Sequence, residues 1–261
     1  MTLPFLDHLD LLDRHGRSAV AALGRLRPKD RLPPRNEPVR DVASAHWATL
    51  EIWAWSLEHP HQHWSGRAEP TSPTDHEALL AGVTTQLDRL RESLPAAGPD
   101  RDIDYFGHPG NVAQVARLLA HEAVATAHAA CVAAGREVPT LRVPVAVDAI
   151  DHVITHWASS TSGATWRPRP FAVRDTDTRQ VHYIVASDGD DPTDFRRASP
   201  QTPSAVVEGP AVDLLWWLHG YPTAEGVVAV SGNEEDVRGL LTTFHHPVQK
   251  PHRKRRWFGW S

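Results

Sequence analysis

Four times in its first 139 residues the chain repeats apolar side chains at helical spacing, and after Pro139 the repetition stops. That switch constrains the fold most, because a 3.6-residue period commits a segment to burying one stripe of a helix. In the first segment Thr2 and Pro4 fit a helix start, and Phe5, Leu9, Leu12, Val20 and Leu23 give a loose stripe to about Leu26. "RPKDRLPPRNEP" breaks it. A second helix is predicted from about Pro38 to Leu57, with Val42, Leu50, Trp53 and Leu57 on one face. "HPHQHWSGRAEPTSP" reads as a loop. A third helix, about Thr74 to Leu94, carries Leu79, Leu80, Val83, Leu87 and Leu90 and ends at "PAAGPDRD". The fourth opens at "HPGN", where Asn111 fits an N-cap, and closes at "AAG", where Gly135 fits the residue past the end. Four amphipathic helices on modest loops predict an antiparallel bundle over residues 1–139.

Residues 140–244 read differently. "VPVAVDAIDHVITHWASS" is one more helix. "PFAVRDT", "QVHYIVAS", "SAVVEG" and "GVVAVSG" have strand character, with turn signals at "TDT" and "SDGDDP". "GPAVDLLWWLHGY" is a short apolar helix with Asp213 in its first turn, and Asn233 fits a cap for "EEDVRGLL". The expected fold class is therefore α+β: an N-terminal antiparallel four-helix bundle, then a small α+β domain. The tail 245–261 matches neither domain. It ends in "KPHRKRRWFGWS", five basic residues followed by aromatics, and is expected to be a disordered end or a contact arm for anionic membrane or RNA.

The 261-residue chain is long enough for such cores, and its formal charge of −5 does not suit a globular body that holds nucleic acid. Its single cysteine, Cys131, excludes an internal disulfide and suits a reducing cytoplasm. The acidic, amphipathic N-terminus is unlike a signal peptide, and no apolar run reaches membrane-spanning length. A cytoplasmic location with no transmembrane segment is the expectation. Neither a Ser-His-Asp pattern, a phosphate-cradling glycine loop nor a dinucleotide fingerprint is present. Cys131 reads as a small core residue, Trp216 and Trp217 as packing, and the histidines of "HPHQHW" (59–64) and "HHP" (245–247) as surface enrichment.

Helix geometry singles out two groups. At 100° per residue, Val115, Leu118, Leu119 and Thr126 lie within about 60° of Glu122, so the carboxylate falls in the apolar stripe. A carboxylate there must be paired, protonated or metal-bound. His121 and His128 fall about 100–120° away, on a flank. On the second helix Val42, Leu50, Trp53 and Leu57 lie within about 40° of His46, so His46 also points inward. A buried His46–Glu122 pair would hold a metal, move a proton or simply make a structural hydrogen bond.

Several of these residues carry a resemblance. "AHE" at 120–122 running on to "AAG" at 133–135, "VPVAVDAIDHVITHW", and above all "VVEGPAVDLLWWLHGY" followed by "VVAVSGNEEDVRGLL" resemble the mycothiol-dependent maleylpyruvate isomerase family of actinobacteria. The resemblance spans nearly the whole chain. It implies a DinB-like four-helix bundle that binds Zn²⁺ or another divalent metal, followed by a smaller α+β domain. It implies that the metal holds the thiolate of mycothiol, which attacks an unsaturated diacid and permits cis–trans isomerisation. Residue by residue, Glu122 matches the family's glutamate ligand and His46 its first histidine with a one-residue offset. The histidine expected four residues after the glutamate is Thr126, and the following aspartate is Ala129. A threonine hydroxyl is a poor Zn²⁺ ligand. His128 would serve as the third ligand only through a local π-bulge.

Two functions follow as expectations. The first is a mycothiol-dependent isomerase or S-transferase-like enzyme acting on a small molecule or thiol adduct, with His46 and Glu122 as ligands or bases. The second, favoured by Thr126 and Ala129, is a metal-free member that binds a small molecule or a protein without catalysis.

Overall fold

The computed structural model describes residues 2–60, 62, 66–68, 70–105, 108–157, 171–186, 195–197, 200, 202–233 and 235–236. The chain is mixed helix and sheet and divides into two compact units, Met1–His152 and Val153–Ser261.

Four long helices dominate the first unit: α1 (Phe5–Leu23), α2 (Val39–Glu58), α3 (His76–Ala97) and α4 (Val112–Ala133). α1 packs on α4 and α3, and α2 packs on α3 and α4. Leu11, Leu23, Leu50, Leu79, Leu90 and Leu119 are fully buried between them. Each such side chain contributes about 1.5–3 kcal/mol on leaving water. The stripe predicted for α1 is displaced. Phe5, Leu9 and Val20 are half-buried, whereas His8, Leu11, Leu12, His15, Ala19, Ala22 and Leu23 face inward. The inward set keeps helical spacing but includes two imidazoles and two alanines. A reading from large apolar residues alone therefore rotates the helix.

Two short antiparallel ladders escaped the sequence expectation. β1 (Arg31–Leu32) pairs with β2 (Glu37–Pro38), and β3 (Asp102–Tyr105) pairs with β4 (His108–Asn111). Their proline and glycine content reads as loop, and neither ladder has an alternating apolar face of useful length. In the second, Gly110 lies opposite Ile103, and a Cβ there would sit 2.5 Å from Tyr105 Cβ.

The β3–β4 ladder delivers the chain into α4, whose ends are closed by local chemistry. Asn111 accepts from the backbone N–H of Gln114 at 3.0 Å, and Gln114 Oε1 accepts from the N–H of Asn111 at 2.9 Å. This reciprocal pair is a capping box. At the other end Gly135 has φ +60°; its N–H reaches the carbonyl of Val132 and the N–H of Arg136 reaches that of Cys131. Those two bonds form a Schellman closure, and the left-handed φ is why glycine stands there. An Asn111→Ala protein is expected to lose about 1 kcal/mol in urea unfolding. A loss under a few tenths would show that the box adds nothing to α4.

α5 (Val143–His152) falls within the first compact unit, which runs to His152. The reason is polar: side chains of α5 bond to α1 and α4, as described below. A π-helical turn, Val153–Trp157, continues directly from it.

The second unit carries a five-stranded sheet in the order β7-β6-β5-β8-β9. Its strands are β5 (Phe171–Asp175), β6 (Val181–Ala186), β7 (Phe195–Arg197), β8 (Ala205–Gly209) and β9 (Ala229–Gly232). All neighbours are antiparallel except β5 and β8. β7 was not expected, since "FRR" has no strand pattern. The β5–β6 turn is held by Asp175, which accepts from the N–H groups of Asp177 and Thr178. Asp177 in turn accepts from the N–H of Ala211 at the start of α6 (Ala211–Leu218). Leu214, Leu215, Trp217 and Leu218 of α6 are buried, and Asp213 stands in its first turn. Asn233 accepts from the N–H of Asp236, the capping bond expected there. Among the described residues no helix is long and apolar enough to cross a membrane.

Candidate functional site

The first unit holds a buried polar cluster built from α1, α4 and α5. Asp148 sits on α5 among Val145, Val147, Ala149 and Ile150 and is completely buried. Its Oδ2 lies 2.8 Å from His8 Nε2 of α1 and 2.8 Å from His121 Nε2 of α4. His8 and His121 are 2% and 5% exposed, so the cluster is shielded from bulk solvent. Arg117, one turn before His121, donates from Nε to Asp148 Oδ1 at 3.1 Å and from Nη2 to the Asp148 carbonyl at 3.0 Å. The same Nη2 reaches Asp151 Oδ2 at 2.8 Å. The His121 ring lies against His152, centroids 5.0 Å apart, and edge-on to His8 at 5.7 Å.

Electrostatics fix the protonation of this cluster. Burial alone would raise the Asp148 carboxyl, but hydrogen bonds from His121 and His8 and the charge of Arg117 hold it well below the usual carboxylate range. An ionised carboxylate has no proton to give, so both imidazoles donate from Nε2. Burial lowers the His121 pKa despite Asp148, so its ring is neutral, and its buried Nδ1 has no hydrogen-bond partner among the described residues. Among the described residues, His8, His121 and Asp148 are the one group of three metal-type side chains whose ligand atoms converge, all within 4.8 Å of one another. Two imidazoles and a carboxylate are a donor set that divalent metals accept.

The residues singled out by helix geometry lie on another face of α4. His46 on α2 is buried, its Nε2 has no hydrogen-bond partner among the described residues, and burial lowers its pKa to about 4. Glu122 is only half-buried by exposed area, but desolvation by the protein around it lifts its carboxyl to about 7. Trp53, seven residues after His46 and so on the same face of α2, stacks on Tyr105 of β3 with centroids 5.6 Å apart. Burial, followed by the charge of Glu122, raises the Tyr105 hydroxyl. Tyr105 thus stands against Trp53 of α2 and feels the charge of Glu122 of α4, and His46 shares the inward face of α2 with Trp53.

Thr126 and His128 are both half-buried on α4, and burial lowers His128 to about 4. His46, Glu122 and His128 do not form a three-ligand group. The α4 backbone is helical throughout, with no π-bulge that would turn His128 inward. At the positions matching the family's ligands stand one imidazole, one carboxylate and a threonine hydroxyl, a set that does not fit a tightly held Zn²⁺.

The expectation that His121 stands on a flank is corrected: α4 is covered on most of its circumference, so a residue 100° from one buried face lies on another. His8, Arg117 and Asp148 were missed by the sequence reading. The available signal was Asp148 itself, an acid inside the apolar run "VPVAVDAI", which must find a partner for the same reason as Glu122.

Cys131 is buried and reduced, 3.6 Å from Ser18 Oγ. Of the "HPHQHW" histidines, His59 stacks on Trp55 and bonds its carbonyl, while His61 and His63 lie outside the described residues. The "HHP" pair and the basic aromatic tail lie outside them too.

No family model matches the chain, and no curated protein matches it by sequence. Among solved structures it is similar to the crystal structure of the mycothiol-dependent maleylpyruvate isomerase, at 14% identity and a TM-score of 0.58. It is also similar to that of a histidine-to-alanine mutant of the isomerase, at 12% identity and a TM-score of 0.59. Each match covers 88% of this chain and 95% of the other. At these identities the likeness shows the fold alone.

Proposed function

We propose that the chain is a mycothiol-dependent isomerase or S-transferase-like protein, built as a DinB-like antiparallel four-helix bundle plus a small α+β domain. Its working face is the one that carries His46 and Glu122, and its substrate is a small unsaturated acid or thiol adduct. One observation carries the reading: Glu122, with partial solvent access, has its carboxyl lifted to about 7 and acts on Tyr105, which stacks on Trp53 of the His46 face of α2. A carboxyl at that value takes and returns protons at neutral pH. The whole-chain likeness to the isomerase supports it.

The proton work is assigned as follows. Glu122 takes the proton from the thiol. The thiolate sulfur adds to the carbon–carbon double bond, and the electron pair moves onto the conjugated carbonyl oxygen. The former double bond rotates, the pair returns, the carbon–sulfur bond breaks, and Glu122 returns the proton to the thiolate. His46, held neutral by burial, contacts the oxygen where charge develops. No step runs through a metal, because the donors at this face do not fit one. Thr126 in place of the family's histidine favours a second reading, a binding module without catalysis.

Purified chain with mycothiol and maleylpyruvate is expected to isomerise the substrate, and Glu122→Gln to slow turnover by about 10²–10⁴-fold. Calorimetric binding of mycothiol without turnover would select the binding module. Neither binding nor turnover would overturn both.

A further inference from the structure

We propose that His8, His121 and Asp148 form a site for one divalent transition-type cation of the Zn²⁺ class, placed between α1, α4 and α5. The donors come from three separate elements, so the site exists only in the folded chain. All three side chains are buried, and Oδ2 of Asp148 stands 2.8 Å from each Nε2. Two imidazole nitrogens and one carboxylate oxygen are the protein ligands of open, four-coordinate zinc centres, which keep one position for water or a ligand. Around such an ion, at metal–nitrogen distances of about 2.0–2.1 Å, ligand atoms stand about 3.3 Å apart. Seating the cation therefore asks each imidazole to retreat by about 0.5 Å, within the reach of a small side-chain rotation, and to move its ring proton from Nε2 to Nδ1 so that Nε2 is free to ligate.

Arg117 gives the arrangement its direction. Its guanidinium occupies Asp148 Oδ1 and the Asp148 carbonyl, so Oδ2 alone is presented to the imidazoles. Second-sphere groups that fix a carboxylate in this way are characteristic of metal centres. Asp151 balances the arginine charge through its own bond to Nη2. A hydrogen-bonded cluster that never meets a metal is the alternative use of the same residues.

Co²⁺ is the probe, because its visible absorption reports low-coordinate nitrogen and oxygen ligation. The full chain, dialysed against chelator, is expected to take up one Co²⁺ with visible d–d bands and to melt at a higher temperature once loaded. His8→Ala and His121→Ala remove the bands; His46→Ala and Glu122→Gln keep them. Far-UV circular dichroism of each variant separates lost ligation from lost folding. Where a variant does not fold, X-ray absorption on the Co²⁺-loaded unmodified chain decides, two imidazoles in the shell being the expected result. An unmodified chain without d–d bands, or bands that survive His8→Ala and vanish in His46→Ala, overturns the proposal. Isomerisation or mycothiol binding is not part of this readout, so failure here leaves the His46–Glu122 reading standing.

Discussion

Asp148→Asn is expected to cost about 3–5 kcal/mol and to lower the melting temperature by roughly 6–20 °C. Asparagine keeps the shape of the side chain, so the loss comes from charge and hydrogen bonding and not from a cavity. In the native chain Oδ2 accepts from His8 and His121, and Oδ1 accepts from Arg117. An amide presents one oxygen and one NH₂. With the present Nε2–H donors, at least one donor in the cluster faces another donor whichever way the amide turns, and Arg117 keeps Asp151 but loses one of its two carboxylate partners in a setting with little water. The pH dependence follows from the depressed Asp148 pKa. Its stabilisation is present above the ordinary value of 3.8 and is lost as pH falls below that value toward the much lower folded one. The gap between the native chain and the Asp148→Asn variant is therefore constant at neutral pH and closes as the solution is acidified below about pH 4. Calorimetric melting at pH 7 and pH 3 checks both parts. A variant that melts within about 2 °C of the native chain at pH 7 would show that the cluster contributes little to folding.

The same cluster shows where sequence was legible. α2, α3 and α4 stand within a few residues of their expected spans, because their apolar spacing, the Asn111 cap and the Gly135 stop all point one way. Four of the five sheet strands were readable for the same reason: alternating or continuous β-branched residues between turn signals. β1 to β4 and β7 were not, since short ladders of proline, glycine and arginine are held by their surroundings and carry no period of their own. The break in pattern after Pro139 marks a change in local structure, while Asp148 and Asp151 tie α5 to helices far away in sequence. Burial of His46 was legible from one stripe on one helix. The His8–Asp148–His121 cluster was not, since it needs the relative placement of three helices, and α4 buries more than one face. A single stripe describes a helix at the edge of a core; it fails for one in the middle.

His46→Gln and Glu122→Gln are expected to change stability with opposite dependence on pH. Burial lifts Glu122 from 4.5 to about 7, so the folded chain holds its proton more tightly than the unfolded chain. Stability is then lost as pH rises from about 4.5 to 7, and Glu122→Gln escapes that loss. The variant should match the native chain near pH 4 and exceed it by about 2 kcal/mol at pH 8, a figure reduced for the partial solvent access of the carboxyl. His46 runs the other way. Burial lowers it from 6.5 to about 4, so the unfolded chain takes up the proton first. Stability is lost as pH falls from 6.5 to 4, and His46→Gln escapes that loss, gaining up to about 3 kcal/mol relative to the native chain across the window. In the native protein the two slopes oppose each other between about pH 4.5 and 6.5, so the wild-type profile conceals both. Urea unfolding of all three proteins at pH 4, 5.5 and 8 reads the slopes, and slopes, unlike absolute values, are insensitive to any packing defect that glutamine introduces. If both variants track the native chain at every pH, the two groups titrate as if in water. Glu122 would then hold no proton to exchange at neutral pH, and the acid–base role assigned to it would have no physical basis.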